Sequence, residues 1–183
     1  MKSYEYKNYE HYKKEQIAAN YRKLSWSFKG KAHMEEIKKR KNSANNIICH
    51  GTRRGGEQLE FLKQYPDAYV IGTEISDTAT QFPNTIEHDF NVQKQEWIEN
   101  FDIVYSNAFD HSFDPDTTIE VWKHQLNKDG LMYLIWPNWS NSQSTSVDPL
   151  SGTRDELVVF LQKHELEVEV TDIPEMLECK IKR

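Results

Sequence analysis

The pattern of hydrophobic and polar positions changes character near residue 46. In the first 45 residues, four apolar side chains recur at i, i+4, i+7 and i+11, the spacing of one helix face. These are Ile17, Tyr21, Leu24 and Phe28. We expect this stripe to be buried, Gly30 to end the helix, and a second helix to run from about Met34 to Lys41. Residues 1–45 are therefore predicted to form an N-terminal helical cap.

From residue 46 onward, short apolar runs alternate with helical patterns. Five runs have the length and apolar content of buried strands: Ile47–Cys49, Ala68–Ile75, Thr85–Phe90, Phe101–Ser106 and Leu131–Pro137. Between the first two, Leu59, Leu62 and Tyr65 have the spacing of a helix face, and Gln93–Phe101 predicts a short helix before the fourth. This alternation predicts a parallel sheet with right-handed crossovers, in which the carboxyl ends of the strands share one edge.

Two capping boxes predict where the last two helices begin. The two pairs are Thr117 with Glu120 and Thr153 with Glu156. We place Gly130 just past the end of the first of these helices. Two strand-like segments, Leu166–Ile173 and Met176–Lys182, close the chain and lie too near each other in sequence for a crossover helix. Residues 46–183 are thus predicted to form one compact α/β unit, a three-layer α/β/α sandwich around a mostly parallel seven-stranded sheet with an antiparallel C-terminal hairpin.

Composition restricts the setting in which the chain works. It has 183 residues, the size of one domain, and no window approaches the 18 consecutive apolar residues of a membrane span. The N-terminus lacks the apolar segment of a secretion signal. The two cysteines, Cys49 and Cys179, belong to no C-x-x-C pair, so we expect neither a zinc site nor a disulfide framework. The expectation is a cytoplasmic protein with no membrane partner and no metal.

Charge is distributed unevenly along the chain. Residues 1–45 contain 12 Lys/Arg and 5 Asp/Glu, a balance of +7, whereas residues 46–183 contain 11 and 24, a balance of −13. The basic segment is either a solvated helix face of mixed Lys and Glu or a surface for nucleic acid or an anionic substrate. Phosphate contacts need a continuous basic field, so the acidic body argues against a nucleic-acid partner.

Candidate chemistry follows the strand ends. After the first predicted strand the sequence reads CHGTRRGG. Gly51 and Gly55 can form a tight turn that a ligand approaches closely, although Arg53 stands where G-x-G-x-x-G has its middle glycine. Glu74 ends the second strand, where a carboxylate can accept both hydroxyls of a ribose. After the third strand, Asp89 is placed either to accept from an adenine amino group or to cap the next helix.

One long segment resembles a known family. Residues 101–135, FDIVYSNAFDHSFDPDTTIEVWKHQLNKDGLMYLI, are similar to the fourth strand and following helix of class I S-adenosylmethionine-dependent methyltransferases. The steps IGTEIS and HDF resemble those after that family's second and third strands. The resemblance runs from about Asn46 to Pro137, half the chain, and implies a Rossmann-like domain that binds S-adenosylmethionine. The glycine turn departs from the family's D/E-x-G-x-G-x-G, because it has no acid at its start and Arg53 replaces the second glycine.

The resemblance implies a set of cofactor contacts. They are His50, Gly51, Thr52, Arg53, Gly55, Glu74, Ile75, Asp89, Phe90 and Asn107. Within this set, Glu74 stands at the ribose and Asp89 at the adenine, with Phe90 packing against the ring. Arg53 is expected either to pair with the methionine carboxylate of the cofactor or to form a salt bridge with one of several nearby acids.

Catalytic and substrate-binding residues are expected beyond the fourth and fifth strands. Asp110 and His111 match an acid and a histidine of the family pattern, and His111 is either a general base or a wall of the cofactor pocket. The residues expected to shape the acceptor pocket are Trp136, Asn138 and Trp139. The N-terminal helices are expected to cover it. Ser106–Phe109 reads SNAF rather than Asn-Pro-Pro-Tyr, which argues against methylation of a flipped base.

The leading prediction is an S-adenosylmethionine-dependent methyltransferase that acts on a small-molecule acceptor, as a monomer or a homodimer. Two other functions compete with it: an NAD-dependent oxidoreductase on a Rossmann sheet, and a nucleoside-binding module that has lost catalysis. The broken G-x-G-x-x-G argues against the first, and the degraded glycine turn favours the second. Modification of nucleic acid would require the basic segment to bind phosphate with steep salt dependence.

Overall fold

The computed structural model describes residues 1–26, 28, 30–136 and 143–182. Within these ranges the chain forms five α-helices and nine β-strands. The helices are α1 (Tyr9–Lys23), α2 (Lys31–Arg40), α3 (Gly56–Gln64), α4 (Pro115–Gln125) and α5 (Arg154–Lys163). The strands are β1 (Lys2–Ser3), β2 (Asn46–His50), β3 (Tyr69–Glu74), β4 (Thr85–Glu87), β5 (Phe101–Ser106), β6 (Leu126–Ile135), β7 (Leu150–Ser151), β8 (Leu166–Val170) and β9 (Met176–Ile181). Short 3₁₀ helices lie at Asp77–Gln81, Gln95–Trp97 and Phe109–His111.

Seven strands form one mixed sheet in the order β4-β3-β2-β5-β6-β9-β8. The first five are parallel, and β9 is antiparallel to both β6 and β8. The predicted sheet, with its antiparallel C-terminal hairpin, is confirmed. The strand order reverses at β2, which has β3 on one side and β5 on the other. The segments leaving β2 and β5 therefore diverge, and open α/β sheets bind ligands in the crevice at such a point.

The sheet is buried on both faces, as expected for parallel strands flanked by helices. Alternate side chains of β2 point to opposite faces. Ile48 packs in a cluster with Trp122 of α4 and Leu157 of α5. Ile47 and Cys49 pack in a second cluster with residues of α2 and α3. Helices thus lie on both sides of the sheet, which confirms the three-layer sandwich.

The buried face of α1 differs from the predicted apolar stripe. Its buried residues are Tyr12, Gln16, Ala19 and Asn20. In contrast, Tyr21 is 52% exposed, and Phe28, which lies beyond the end of the helix, is 36% exposed. The predicted stripe is therefore wrong. The physical reason is that α1 covers a cavity with both polar and apolar walls rather than the apolar core, so its inward face can carry polar side chains.

Two glycines have positions other than those predicted. Gly30 is the N-cap of α2 and does not end α1, which finishes at Lys23. Gly130 lies inside β6, because this strand begins at Leu126 directly after α4. A β-carbon on Gly130 would come within 2.8 Å of the carbonyl oxygen of Phe101 in the neighbouring strand. The glycine thus allows close approach of two strands rather than ending a helix.

The helix starts depend on side-chain caps. The Thr153–Glu156 capping box of α5 is confirmed, with bonds in both directions. The predicted box at the start of α4 is wrong, because Asp114 is the N-cap and its carboxylate accepts from the backbone N–H of Thr117 at 3.1 Å. On α3 the predicted face is also shifted, since Leu59 is 51% exposed.

The N-terminus pairs with a segment far along the chain. β1 and β7 form a two-stranded antiparallel ribbon that the sequence pattern did not predict.

Met34 and Ile37 of α2 belong to the same core cluster as Ile47 of β2, so a division between cap and sheet domain at residue 45 stays a prediction. In the part of the chain that the structure describes, no helix has both the length and the apolar character needed to cross a membrane.

Candidate functional site

A cavity of about 430 Å³ lies at the carboxyl ends of β2, β3 and β5, beneath α1. This is the crevice in which open α/β sheets bind ligands, and its size suits a nucleoside-sized molecule. Eight of the ten predicted cofactor contacts line it: Gly51, Thr52, Arg53, Glu74, Ile75, Asp89, Phe90 and Asn107. The topology therefore brings together residues that are separated by up to three strands in the sequence.

The turn after β2 is held tightly against neighbouring strand ends. Gly51 has φ +72°, and a β-carbon there would come within 2.5 Å of the Ala108 β-carbon, so this position requires glycine. The backbone N–H groups of Gly51 and Thr52 donate to the carbonyl of Thr73 at 2.9 and 3.0 Å. Arg53, where the resembled family has a glycine, also has a positive φ of 49°. The turn thus keeps a left-handed backbone at Arg53 without a glycine.

Glu74 ends β3 with its carboxylate oriented by two backbone groups. Oε2 accepts from the N–H of Arg53 at 3.1 Å, and Oε1 accepts from the N–H of Ser76 at 3.1 Å. The side chain is buried yet lines the cavity, and burial raises the pKa of its carboxyl group above the ordinary value. A fixed carboxylate at this position can accept hydroxyl groups of a ligand with little reorganisation.

Glu57 is a second acid in the cavity wall that the sequence-based reasoning did not include in the site. It lies in the first turn of α3. Burial raises the pKa of its carboxyl group to about 8, against the opposing effects of its own backbone N–H and the charge of Arg53. The same arginine lowers the pKa of Glu74, again against burial. The charge of Arg53 therefore acts on both acids, and its role toward a ligand carboxylate stays a prediction.

Asp89 and Phe90 form the end of the cavity near β4. Asp89 Oδ2 accepts from the hydroxyl of Tyr9 at 2.6 Å, while Oδ1 accepts from the backbone N–H of Asn91 at 2.8 Å. Phe90 packs edge-on against Trp122 at 5.4 Å between ring centroids. Asp89 thus organises its own loop and also holds the start of α1 over the cavity.

Five residues of α1 line the cavity, and none of them was predicted. They are Tyr12, Gln16, Ala19, Asn20 and Lys23. Asn20 Oδ1 accepts from the hydroxyl of Thr78 at 2.9 Å, which ties the helix to the segment after β3. Two of the five are amides and one is a lysine, so hydrophobic periodicity could not reveal this face. The available signal was that one side of this helix is polar, which is typical of a helix that covers a ligand-binding edge of a sheet.

His111, Asp110 and Asp148 form a cluster at the cavity wall. His111 Nε2 lies 3.6 Å from Asp148 Oδ1 and 3.9 Å from Asp110 Oδ1. His111 Nδ1 lies 3.0 Å from Gln16 Oε1 of α1. His111 and Asp148 line the cavity, whereas Asp110 lies behind them at 2% exposure, and burial raises the pKa of its carboxyl group. Asp148 is a further site residue that the sequence did not indicate.

The structure places the ring of His50 away from the cavity, which corrects the expectation that this residue is among the cofactor contacts. Its ring is stacked on Trp122 at 4.8 Å between centroids, on the α4 side of the sheet. Nδ1 lies 2.9 Å from Thr73 Oγ1 and Nε2 lies 2.8 Å from Gln125 Oε1. Burial lowers the pKa of His50 to about 3. The ring is therefore a neutral, fully bonded part of the core.

Two further predicted contacts lie outside the cavity wall, and two lie outside the described residues. Gly55 is the N-cap of α3 at φ +72°, and a β-carbon there would approach Thr85 and Gln58 rather than the cavity. Trp136 is 2% exposed and its ring N–H donates to the carbonyl of Gly152 at 3.0 Å, so it packs in the core instead of shaping an acceptor pocket. Asn138 and Trp139 lie outside the described residues.

Comparisons with known proteins show the fold that this chain shares. No protein-family model and no curated protein matches the sequence. Among solved structures, a Burkholderia thailandensis 1,6-didemethyltoxoflavin-N1-methyltransferase with bound 1,6-didemethyltoxoflavin and S-adenosylhomocysteine is similar at TM-score 0.73 and 12% identity, over 98% of this chain and 93% of that one. A sugar N-methyltransferase from a Streptoalloteichus species is similar at TM-score 0.67 and 12% identity, over 91% and 92%. A TehB-like methyltransferase from Corynebacterium glutamicum is similar at TM-score 0.60 and 16% identity, over 96% and 100%. The chain has the Rossmann-like fold of S-adenosylmethionine-dependent methyltransferases.

Proposed function

We propose that this protein is a methyltransferase that uses S-adenosylmethionine and transfers its methyl group to a small-molecule acceptor. The observation that carries the proposal is the position of Glu74 in the cavity at the strand-order reversal, with its carboxylate fixed by two backbone N–H groups. The shared fold supports the choice of cofactor, since the similar Burkholderia enzyme was crystallised with S-adenosylhomocysteine.

The residues present fit this cofactor. Gly51 lies in the cavity wall, packed closely against Ala108, and the cavity of about 430 Å³ has the size that small cofactors need. Glu74 would hold the ribose hydroxyls, Asp89 and Phe90 the adenine, and the turn at Thr52 and Arg53 the amino-acid end. When bound, the cofactor supplies an electrophilic methyl group on a sulfonium.

The chain's own contribution to the reaction is alignment and exclusion of water. Methyl transfer is an in-line displacement, so orientation of acceptor and methyl group provides much of the rate. α1 closes the cavity from above through Tyr12 and Gln16, while Tyr9 fastens this helix to Asp89. His111, in the wall beneath α1, is the residue placed to contact an acceptor. We propose that it accepts or orients the proton that a hydroxyl or amine acceptor loses.

Calorimetric titration with S-adenosylhomocysteine tests the proposal. We expect saturable binding to the native protein and a loss of about 10- to 100-fold in affinity for Glu74→Gln, because hydrogen bonds to a charged group contribute about 1.5–3 kcal/mol. Glu87→Gln is the matched control, since Glu87 ends the neighbouring strand in register with Glu74 but is exposed and outside the cavity wall. Its affinity should equal that of the native protein.

Two parallel titrations separate the competing functions. NAD binding without S-adenosylhomocysteine binding would support an oxidoreductase and contradict the proposal. Cofactor binding without methyl transfer to any of a panel of phenol, amine and sugar acceptors would support a nucleoside-binding module that lacks catalysis. The specific feature that favours this second candidate is Arg53, which stands where the resembled family has a glycine.

A further inference from the structure

We propose that Asp110, His111 and Asp148 bind a divalent metal cation at the wall of the cavity. One ligand atom from each residue lies within 4.8 Å of the others. Two of the three residues face the cavity and the third lies behind them. The role of this cation in catalysis rests on the proposed function, whereas its binding does not.

The orientation of Gln16 determines which nitrogen of His111 carries a proton. The side-chain amide nitrogen of Gln16 donates to the backbone carbonyl of Val147 at 3.1 Å, so its amide oxygen must face His111. An amide oxygen only accepts hydrogen bonds, and His111 Nδ1, at 3.0 Å from it, must therefore be the protonated nitrogen. This leaves Nε2 of a neutral ring with a free lone pair, which is the form of histidine that binds metals.

That lone pair faces negatively charged oxygens. Nε2 lies 3.6 Å from Asp148 Oδ1 and 3.9 Å from Asp110 Oδ1, so three electron-rich atoms point at one another. A proton on Nε2 would relieve the repulsion, but both distances exceed the range of about 2.7–3.2 Å for a hydrogen bond. Two ligand atoms that each lie about 2.1–2.6 Å from one cation can be up to about 5 Å apart, so these separations leave room for a cation between the three atoms.

Asp110 supplies an independent sign of a missing ligand. Its side chain is only 3% exposed, and among the described residues its Oδ2 atom has no hydrogen-bond partner. A buried carboxylate without a partner costs free energy that a bound cation would recover. The other oxygen of the same carboxylate, Oδ1, is the one that lies 3.9 Å from His111 Nε2, so the incompletely bonded acid belongs to the same cluster.

The donor set favours Mn²⁺ over Mg²⁺ and Ca²⁺. Two carboxylates suit Mg²⁺, Ca²⁺ and Mn²⁺, whereas an imidazole ligand is unusual for the first two. One positive charge opposes binding, since Lys23 Nζ lies 3.8 Å from Asp148 Oδ1. With a cation bound, Nε2 of His111 would hold the cation instead of accepting a proton. The cation would bind an oxygen atom of the acceptor and lower its pKa, which points to acceptors that carry a hydroxyl group beside the cavity.

Titration of chelator-treated protein with MnCl₂, with free Mn²⁺ followed by electron paramagnetic resonance, tests the site. We expect one Mn²⁺ per chain and affinity losses of about tenfold or more for Asp148→Asn and His111→Gln. Asp155→Asn removes the same charge at a side chain that is 91% exposed, and it should bind Mn²⁺ as the native protein does. Lys23→Gln should bind more tightly, because it removes the competing charge.

A spectroscopic readout separates coordination from general charge effects. Bound Mn²⁺ should show coupling to a ¹⁴N nucleus in pulsed measurements, and this coupling should vanish in His111→Gln. Absence of saturable Mn²⁺ binding, or affinity unchanged in Asp148→Asn, would overturn the metal site even if S-adenosylhomocysteine binds. Binding of Mn²⁺ without S-adenosylhomocysteine would uphold the site and contradict the proposed function instead.

Discussion

Two histidines near the strand-order reversal show opposite uses of the same side chain. His50 ends β2, and His111 ends the 3₁₀ helix that follows β5, the neighbouring strand. His50 is 1% exposed with both ring nitrogens within hydrogen-bond distance of a partner. His111 has only Nδ1 satisfied by a neutral partner, while Nε2 faces two carboxylates.

The difference follows from the direction in which each ring points. The side chain of His50 lies on the α4 face, where Trp122, Thr73 and Gln125 enclose it and exclude water. His111 lies past the end of the sheet, where α1 and the segment containing Asp148 approach it. A fully bonded histidine stabilises the fold, whereas a ring nitrogen left facing the cavity is available for chemistry. The following predictions test that separation.

The largest expected effect is on the stability of His50→Ala. The change removes the stacking on Trp122, leaves a buried cavity, and deprives Thr73 and Gln125 of their partner. We expect the free energy of unfolding to fall by about 4 kcal/mol, measured by urea denaturation. His50→Gln, which can keep one hydrogen bond, should lose less. A change below about 1 kcal/mol for His50→Ala would show that the ring is not the structural element described.

Much of the sheet could be predicted because its signals are local. β5 matches its predicted bounds, Phe101–Ser106, since nearly all of its residues are buried in one continuous run. The capping box at Thr153 needs only two residues within one helical turn, Thr153 and Glu156. Glu74 was found for a similar reason, because an acid that ends an apolar run marks the edge of a parallel sheet.

The walls of the cavity were harder to predict because they depend on tertiary packing. Gln16 and Asn20 face inward because α1 covers a cavity rather than the apolar core, and nothing in the spacing of apolar residues shows this. Asp148 approaches His111 from a segment 37 residues further along the chain, so their contact has no local signal. The orientation of His50 depends on which face of β2 it occupies, and the family resemblance that placed it among the cofactor contacts does not specify that face.

The next effect is the pH dependence of stability that arises from Glu57, the buried acid in the cavity wall. The pKa of Glu57 is about 8 in the fold against 4.5 for the unfolded group, so the folded state holds a proton that the unfolded state has lost. The contribution of Glu57 to the free energy of unfolding is therefore fully present below pH 4.5, and it is lost as the pH rises to 8. His50 acts in the opposite direction, since its pKa of about 3 lies below the ordinary 6.5. Its contribution to the free energy of unfolding is lost as the pH falls from 6.5 to 3.

The two contributions oppose each other between pH 4.5 and 6.5, but only Glu57 acts between 6.5 and 8. Between pH 6.5 and 8 we expect the titration of Glu57 to lower the free energy of unfolding by about 1.4 kcal/mol per pH unit, or by about 2 kcal/mol in all. Urea unfolding at both pH values should show this fall in the native protein and in Glu87→Gln, but not in Glu57→Gln. An equal fall in all three proteins would place its origin elsewhere.

The smallest expected effect on stability is that of His111→Gln. The introduced glutamine would keep a donor near Gln16, and the imidazole ring that it replaces is 22% exposed rather than enclosed in the core. We expect the free energy of unfolding to change by less than about 0.5 kcal/mol, the range of substitutions away from core features. Affinity for S-adenosylhomocysteine should also remain near native, because Glu74 and the turn at Gly51 are untouched.

Methyl transfer by His111→Gln should nevertheless fall by about 100-fold, since removal of a group that moves or orients a proton costs about that factor. Urea denaturation, calorimetry and turnover on the same preparation measure stability, affinity and rate together. The comparison of the two histidines requires that the rate falls while the other two quantities stay near native. A stability loss as large as that of His50→Ala would mean that the two rings do not differ in kind.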